Sequence, residues 1–235
     1  MALTKVTTGT IASETIKSAN IEDGAIVNAD VNASAAITAS KLSGVESGLT
    51  SVQTFTSSGT WTKPTGITKV IVEVQGAGGS GSVTTETANN GGGGGGYAKK
   101  LIDVSSISTA TVTVGAGGAS NASGGGNAGG ASIWSDGTNT ITCNGGSGGA
   151  TTIGVGTAGG SASNGDININ GGRGQGQSYY YCSGGDSILG NSGQGGFTTY
   201  SQDQAPTGYG SGTGGHYNGT ALAATNGIVI VTEYK

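Results

Sequence analysis

Residues 89–100 read NNGGGGGGYAKK, six consecutive glycines from Gly91 to Gly96 that run straight into a strand-like segment. Glycine loses more backbone freedom on folding than any other residue, about 0.5–1 kcal/mol relative to alanine inside a regular element. The chain carries 51 glycines, of which only Gly9, Gly24, Gly44, Gly48, Gly59 and Gly66 precede residue 76. That load exceeds the net stability of a typical domain, unless the backbone does something that only glycine permits. Two readings compete. The tracts are flexible linkers, or they are extended segments with about three residues per turn and a rise near 3.1 Å. In the second case they pack side by side, and their bare amides hydrogen-bond from one segment to the next. Strand-like runs interleaved with the glycines favour the second reading.

Those runs bracket the region. KVIVEV, Lys69 to Val74, and the closing GIVIVTEYK alternate as strands do. They are expected to pair in one sheet and enclose the glycine-rich middle. Further strands are expected at Val52 to Phe55, Tyr97 to Asp103, Ala110 to Val114, Ala131 to Trp134, Thr140 to Cys143 and Asp166 to Ile169, with turns at Ser58-Gly59 and around Pro64 and Gly66. No segment has the period of an amphipathic helix, so the expected class is all-β.

The composition narrows what such a fold can do. Only 33% of residues are hydrophobic, 5% aromatic and 9% charged, against about a quarter charged in ordinary proteins. A conventional apolar core cannot carry the whole fold; backbone hydrogen bonding or packing between chains must contribute. The net charge is −4, and after Lys100 the only basic residues are Arg173 and Lys235, which makes no nucleic-acid interface. No stretch approaches the roughly 18–20 apolar residues of a membrane span, and the N-terminus lacks the apolar region of a secretory signal. The expectation is therefore a soluble protein. Cys143 and Cys182 are too few for a disulfide scaffold and are expected to be free thiols.

The first 50 residues follow a different rule. Apolar residues stand at Val6, Ile11, Ile16, Ile21, Ile26 and Val31, a step of five that slips by one through Ala36, Ile37 and Leu42. Five matches neither a helix nor a plain strand. One apolar residue per step fits a winding shaft, either a β-solenoid in one chain or several chains wrapped around an axis. A flexible polar linker is the plainer alternative. A single segment of this size has little core of its own, which favours an intertwined homotrimer. The expected organisation is a fibrous trimerising shaft over 1–50 and a glycine-rich β domain over 51–235.

Several motifs fail in their context. GAGGSG at residues 76–81 matches GxGxxG after a strand, but neither the helix nor the acidic residue of a dinucleotide site follows. No Gly-Lys-Ser/Thr phosphate loop, collagen frame or tandem calcium repeat is present. His216 is the only histidine, which excludes a His-rich metal site. Asp136, Asp166, Asp186 and Asp203 have no spacing that favours a glycosidase pair. No enzyme activity, cofactor or metal is expected.

FTSSGTWTKPTGITKVIVEVQGAGGSG, GGGGGGYAKKLIDVSSISTATVTVGAGG and NGIVIVTEYK together resemble the glycine-rich domain at the ends of many bacteriophage tail fibres. The N-terminal repeats are similar to phage fibre shafts. The resemblance implies a virion protein whose shaft meets other tail or baseplate proteins. Its distal domain would bind a host surface glycan or outer-membrane protein and so mediate adsorption. The alternative is a structural head fibre or capsid decoration without a receptor. Carried onto this chain, the recognition residues would be the aromatic interruptions Tyr179, Tyr180, Tyr181, Phe197, Tyr200, Tyr209, His216 and Tyr217. Tyrosine gives large contact area at low entropy cost.

Overall fold

The computed structural model describes residues 48–85, 89–152, 154–177, 182–196 and 203–235, and of the first 47 positions only 17, 19, 21, 22, 26, 31, 32 and 35. The chain divides into two units, Met1–Glu46 and Ser47–Lys235. In the first, Ile21, Ile26 and Val31 of the five-residue step are 39%, 59% and 38% exposed, and the Ala35 N–H donates to the Asn32 carbonyl. The other apolar positions of that step lie outside the described residues.

Every regular element of the second unit is a β-strand; no α-helix occurs among its described residues. In chain order they are β1 (Leu49–Phe55), β2 (Gly59–Thr62), β3 (Lys69–Gln75), β4 (Val83–Thr84), β5 (Asn89–Asn90), β6 (Tyr97–Asp103) and β7 (Thr109–Thr113). Then follow β8 (Ser132–Ser135), β9 (Thr140–Cys143), β10 (Ala162–Ser163), β11 (Ile167–Ile169), β12 (Gly176–Gln177), β13 (His216–Tyr217) and β14 (Ile228–Tyr234). One sheet has the order β1-β14-β3-β6-β11 and a second β10-β9-β8-β7-β2. The two strongest strands of the sequence, β3 and β14, pair antiparallel over their whole length, from Gln75 opposite Ile228 to Lys69 opposite Tyr234.

The two sheets face each other over an apolar core. Val70, Val72 and Val74 of β3, Val229 and Val231 of β14 and Ile102 of β6 meet Ala110, Val112, Trp134 and Ile141 of the second sheet, all essentially sealed from solvent. Trp61 and Trp134 pack with ring centroids 5.3 Å apart at 51°. Each such side chain contributes about 1.5–3 kcal/mol by leaving water. One charged residue of the sheet is fully buried, Glu233. Its carboxylate accepts hydrogen bonds from Ser51 Oγ, from Gln53 Nε2 at 2.7 Å and from Trp61 Nε1 at 2.7 Å. Those donors satisfy the carboxylate and tie β1 and β2 to the last strand.

From one end of this sandwich the strands continue as extended rods. β3, β7, β9 and β11 lead into glycine-rich segments, and others return into β6, β8, β10 and β14. The rod Gly91–Gly96 shows how they pack. Its amides donate in threefold alternation: Gly91 and Gly94 to Gln175 and Gly172, Gly92 and Gly95 to Thr213 and Gly210, Gly93 and Gly96 to Ser147 and Asn144, at 2.7–3.0 Å. The Cα hydrogens point at three other segments with the same period. A methyl carbon on Gly91 or Gly94 would fall on the carbonyl of Ser183 or Asp186, on Gly92 or Gly95 on that of Gly79 or Gly76, and on Gly93 or Gly96 on that of Ala158 or Ser161. The rod therefore has six neighbours, and all six of its glycines are buried. This is the threefold geometry of an extended left-handed helix, whose amides cannot bond internally and must bond sideways.

Two substitutions test the packing. Gly93→Ala or Gly94→Ala should cost about 3 kcal/mol or more by forcing rods apart, lowering the melting temperature by about 6–12 °C. Gly125→Ala, whose added carbon meets only a carbonyl oxygen at 3.4 Å, should melt as wild type. An equal tolerance at all three positions in a calorimetric scan would exclude the packed array. Glu233→Leu should cost about 2–4 kcal/mol, because the buried Trp61 N–H and the Gln53 amide lose their acceptor. A denaturant midpoint unchanged by that substitution would remove the carboxylate from the account.

Candidate functional site

The rods give the second unit two poles. The chain enters at Gly48–Leu49, and Leu49 pairs with Tyr234 at the end of β14 remote from the rods. Rods leave the other end of the sandwich and run about 19 Å for six residues to a distal pole. There β4 pairs with β13 in parallel and β5 with β12 antiparallel.

Asn90, inside the stretch that precedes the glycine run, brackets this pole. It is fully buried; its Nδ2 donates to the carbonyls of Ala150 and Thr152 at 2.6 and 2.7 Å, and its N–H to Ser82 Oγ. Asn89 Oδ1 accepts from Thr84 Oγ1 at 2.9 Å. Sequence reading passed over this pair as part of the glycine tract. The signal was the polar dipeptide that immediately precedes six glycines.

His216 lies at the same pole with 7% of its surface exposed. Its N–H donates to the Ser82 carbonyl, its Nδ1 sits 3.1 Å from the Tyr217 carbonyl and its Nε2 lies 3.2 Å from Asp203 Oδ2. Both ring nitrogens are thus engaged, and the ring holds the chain at Asp203 against β13. Tyr217 is half-buried; its N–H donates to Gly196. Cys182 Sγ accepts the Gly215 N–H at 2.8 Å, and the Gly195 N–H donates to the Cys182 carbonyl.

Of the eight aromatic and histidine positions singled out from the sequence, Tyr179, Tyr180, Tyr181, Phe197 and Tyr200 lie outside the described residues. Their described flanks, Gln177, Cys182, Gly196 and Asp203, are all held at the distal pole with His216 and Tyr217. Tyr209 is placed differently. Its N–H donates to Leu189 and its carbonyl accepts from Ser187 Oγ. The adjoining Gly210 carbonyl accepts the Gly95 N–H, beside Gln75 at the sandwich end. Tyr209 is therefore about a rod's length from Tyr217.

The four aspartates each anchor local structure. Asp136 accepts the N–H groups of Thr138 and Asn139; burial raises its pKa, but these bonds prevail and hold the carboxyl below its usual range. Asp166 accepts from Leu101, Asp186 from Ser192, and Asp203 pairs with His216. Among the described residues no three His, Cys, Asp or Glu side chains gather as a metal site requires. A shallow polar groove of about 310 Å³ lies by the sandwich, lined by Lys100, Thr138, Asn139, Thr140 and Asn164.

Both cysteines are free and fully buried. Cys143 stands in β9 and Cys182 at the distal pole. Burial pushes their thiols up to about 12 and about 11, which makes them inert as nucleophiles near neutrality.

These features define an all-β protein in which a two-sheet sandwich carries a bundle of polyglycine-type rods that end in a loop-bearing pole. The chain belongs to the glycine-rich domain family, whose model matches residues 50–234. No curated protein matches the sequence.

Thiol titration checks the burial of both ends at once. At pH 8 a disulfide reagent should find less than about 0.1 thiol per native chain and two after denaturation. Fast reaction of either thiol in the native protein would contradict the closed packing around it.

Proposed function

We propose that this chain is a bacteriophage tail-fibre protein that attaches the virion to its host. The observation that supports this reading is the polarity of the second unit. The chain enters at one pole, and the interruptions that carry Tyr179 to Tyr181 and Phe197 to Tyr200 leave the described structure at the other. A fibre needs that arrangement: an end that faces the virion, a stiff spacer and an end that faces the cell. In this reading the tyrosines supply the contact area. His216, buried against Asp203, holds the described chain together at that pole, and Tyr209 lies at the sandwich end.

The first unit acts as a shaft that joins three copies and docks on tail or baseplate proteins. Three linked tips then strengthen a modest single-site affinity by raising the effective concentration of the second and third. The ligand is a host surface glycan or an outer-membrane protein. The reading involves no reaction and no cofactor.

Adsorption competition tests it. The purified full chain should bind a permissive strain within a panel and block phage adsorption. Simultaneous Tyr179→Ser, Tyr180→Ser and Tyr181→Ser should weaken binding about tenfold or more without changing the melting temperature. Periodate treatment of the cells abolishes binding if the ligand is a glycan, and protease treatment does so if it is a protein. A full chain that binds no permissive strain while still assembling into virions would leave a structural head fibre or decoration protein in its place.

A further inference from the structure

The outer face of the sheet β1-β14-β3-β6-β11 carries exposed apolar side chains among paired charges, and nothing in the chain's described residues covers most of them. Sidedness follows from the register. Val70, Val72 and Val74 point inward, so Ile71 points outward, as do its partners Thr232 and Leu101. The register places Val52 and Thr54 of β1, Ile230 of β14, and Ile167 and Ile169 of β11 on that outer face, with Leu49, across a register shift, opposite outward Tyr234. Leu49, Val52, Leu101, Ile167 and Ile169 are 39–61% exposed. Among the described residues of the second unit, only Val155 and Ile188 are further large apolar side chains as open to water. Strands of a one-sided sheet alternate apolar and polar; strands covered on both faces read as continuous apolar runs. KVIVEV and IVIVTEY alternate in burial, yet their outward positions include the apolar Ile71 and Ile230.

We infer that this face packs against other copies of the same chain. Three observations select a copy over a foreign partner. The charges on the face, Lys69 opposite Asp103 and Lys99 paired with Glu73 at 3.3 Å, sum to zero, so two copies meet without net repulsion and the face has no excess charge to attract an acidic or basic partner. The face is roughly 24 Å across five strands and 20 Å along them, about 500 Å². That footprint, four charged residues included, falls short of the roughly 800 Å² per partner of a free-standing complex. It suits chains already tethered to one another, for which a small contact suffices. The tether is adjacent in sequence: β1, which supplies Leu49 and Val52, directly follows the unit whose Ile21, Ile26 and Val31 are also exposed.

This inference rests on the multichain reading of the shaft and is independent of host binding. The buried native thiols make the test clean, since an introduced cysteine is the one that reacts. Leu101→Cys, Ile167→Cys and, as an open-surface reference, Val155→Cys are made in the full chain, and molar mass and maleimide labelling rate are measured on the same samples. A multichain mass is expected, with residues 101 and 167 labelled at least tenfold more slowly than residue 155. A multichain mass with equal rates at all three positions overturns the packing of this face and keeps the shaft. A single-chain mass overturns both.

Discussion

The distance between neighbouring rods is set by a hydrogen atom. In the array around Gly91–Gly96 each Cα hydrogen that L-alanine would replace with a methyl points at a carbonyl oxygen of the next segment. Such Cα–H···O approaches recur wherever backbones lie side by side, and each is worth perhaps 0.5–1 kcal/mol. More important, the close spacing lets every amide of the rod reach a carbonyl on one of three neighbours. A methyl group would widen the gap and break both sets at once. The glycines are therefore the complement of a sideways hydrogen-bond network in which a peptide group takes the place that an apolar side chain takes in an ordinary core.

An array held by peptide groups alone would have no preferred register, because one glycine is like the next. The sandwich supplies it. Rods enter and leave through strands whose pairing is fixed by inward Val, Ile and Trp side chains, so the offset between Gly76 and Gly96, bonded across one rod contact, is inherited from Gln75 opposite Tyr97 in the sheet. Gln75 reinforces the junction, donating from Nε2 to the carbonyls of Gly95 and Gly96 at 2.8 and 3.0 Å. At the far pole Asn90 plays the same part, spanning from Ser82 to Ala150 and Thr152. Side chains thus set the two ends, and the glycines between follow.

This division explains what could be read from the residues. The strands at Lys69–Gln75, Tyr97–Asp103, Thr140–Cys143 and Ile228–Tyr234 were visible because their apolar alternation is a local property, and the antiparallel union of first and last followed from it. Extended packing of the glycines followed from elimination. Which rod touches which was not legible, because glycine carries no side chain to specify a partner. A weaker signal was present and passed over: non-glycine residues recur every third position, as at Asn144 and Ser147 or Ala158 and Ser161, and those four are exposed. They mark rods at the surface of the array, where one direction in three faces water. Gly91–Gly96 has no such residue because it has no such direction. Likewise Tyr209 could be separated from Tyr217 only by knowing that the chain runs the length of a rod between them.

The same geometry separates what can vary from what cannot. Within a rod such as Gly91–Gly96 every direction meets backbone, and elsewhere only small side chains such as Ala77, Ser80, Ser211 and Thr213 are buried between rods, so sequence change is freest at every third residue of the outer rods. At the poles the constraint ends: a segment joining two rods there needs only to close its ends, and doubling its length adds about 0.6 kcal/mol of closure entropy. The distal pole stands about 19 Å from the sandwich core, so changes in its loops do not reach the apolar packing that fixes register. A scaffold of this kind can hold many different tips at nearly constant stability, whereas a β-sandwich whose loops abut its core couples each new tip to folding. The glycine content that looked like a cost in the sequence is what allows the distal residues to change independently of the fold that carries them.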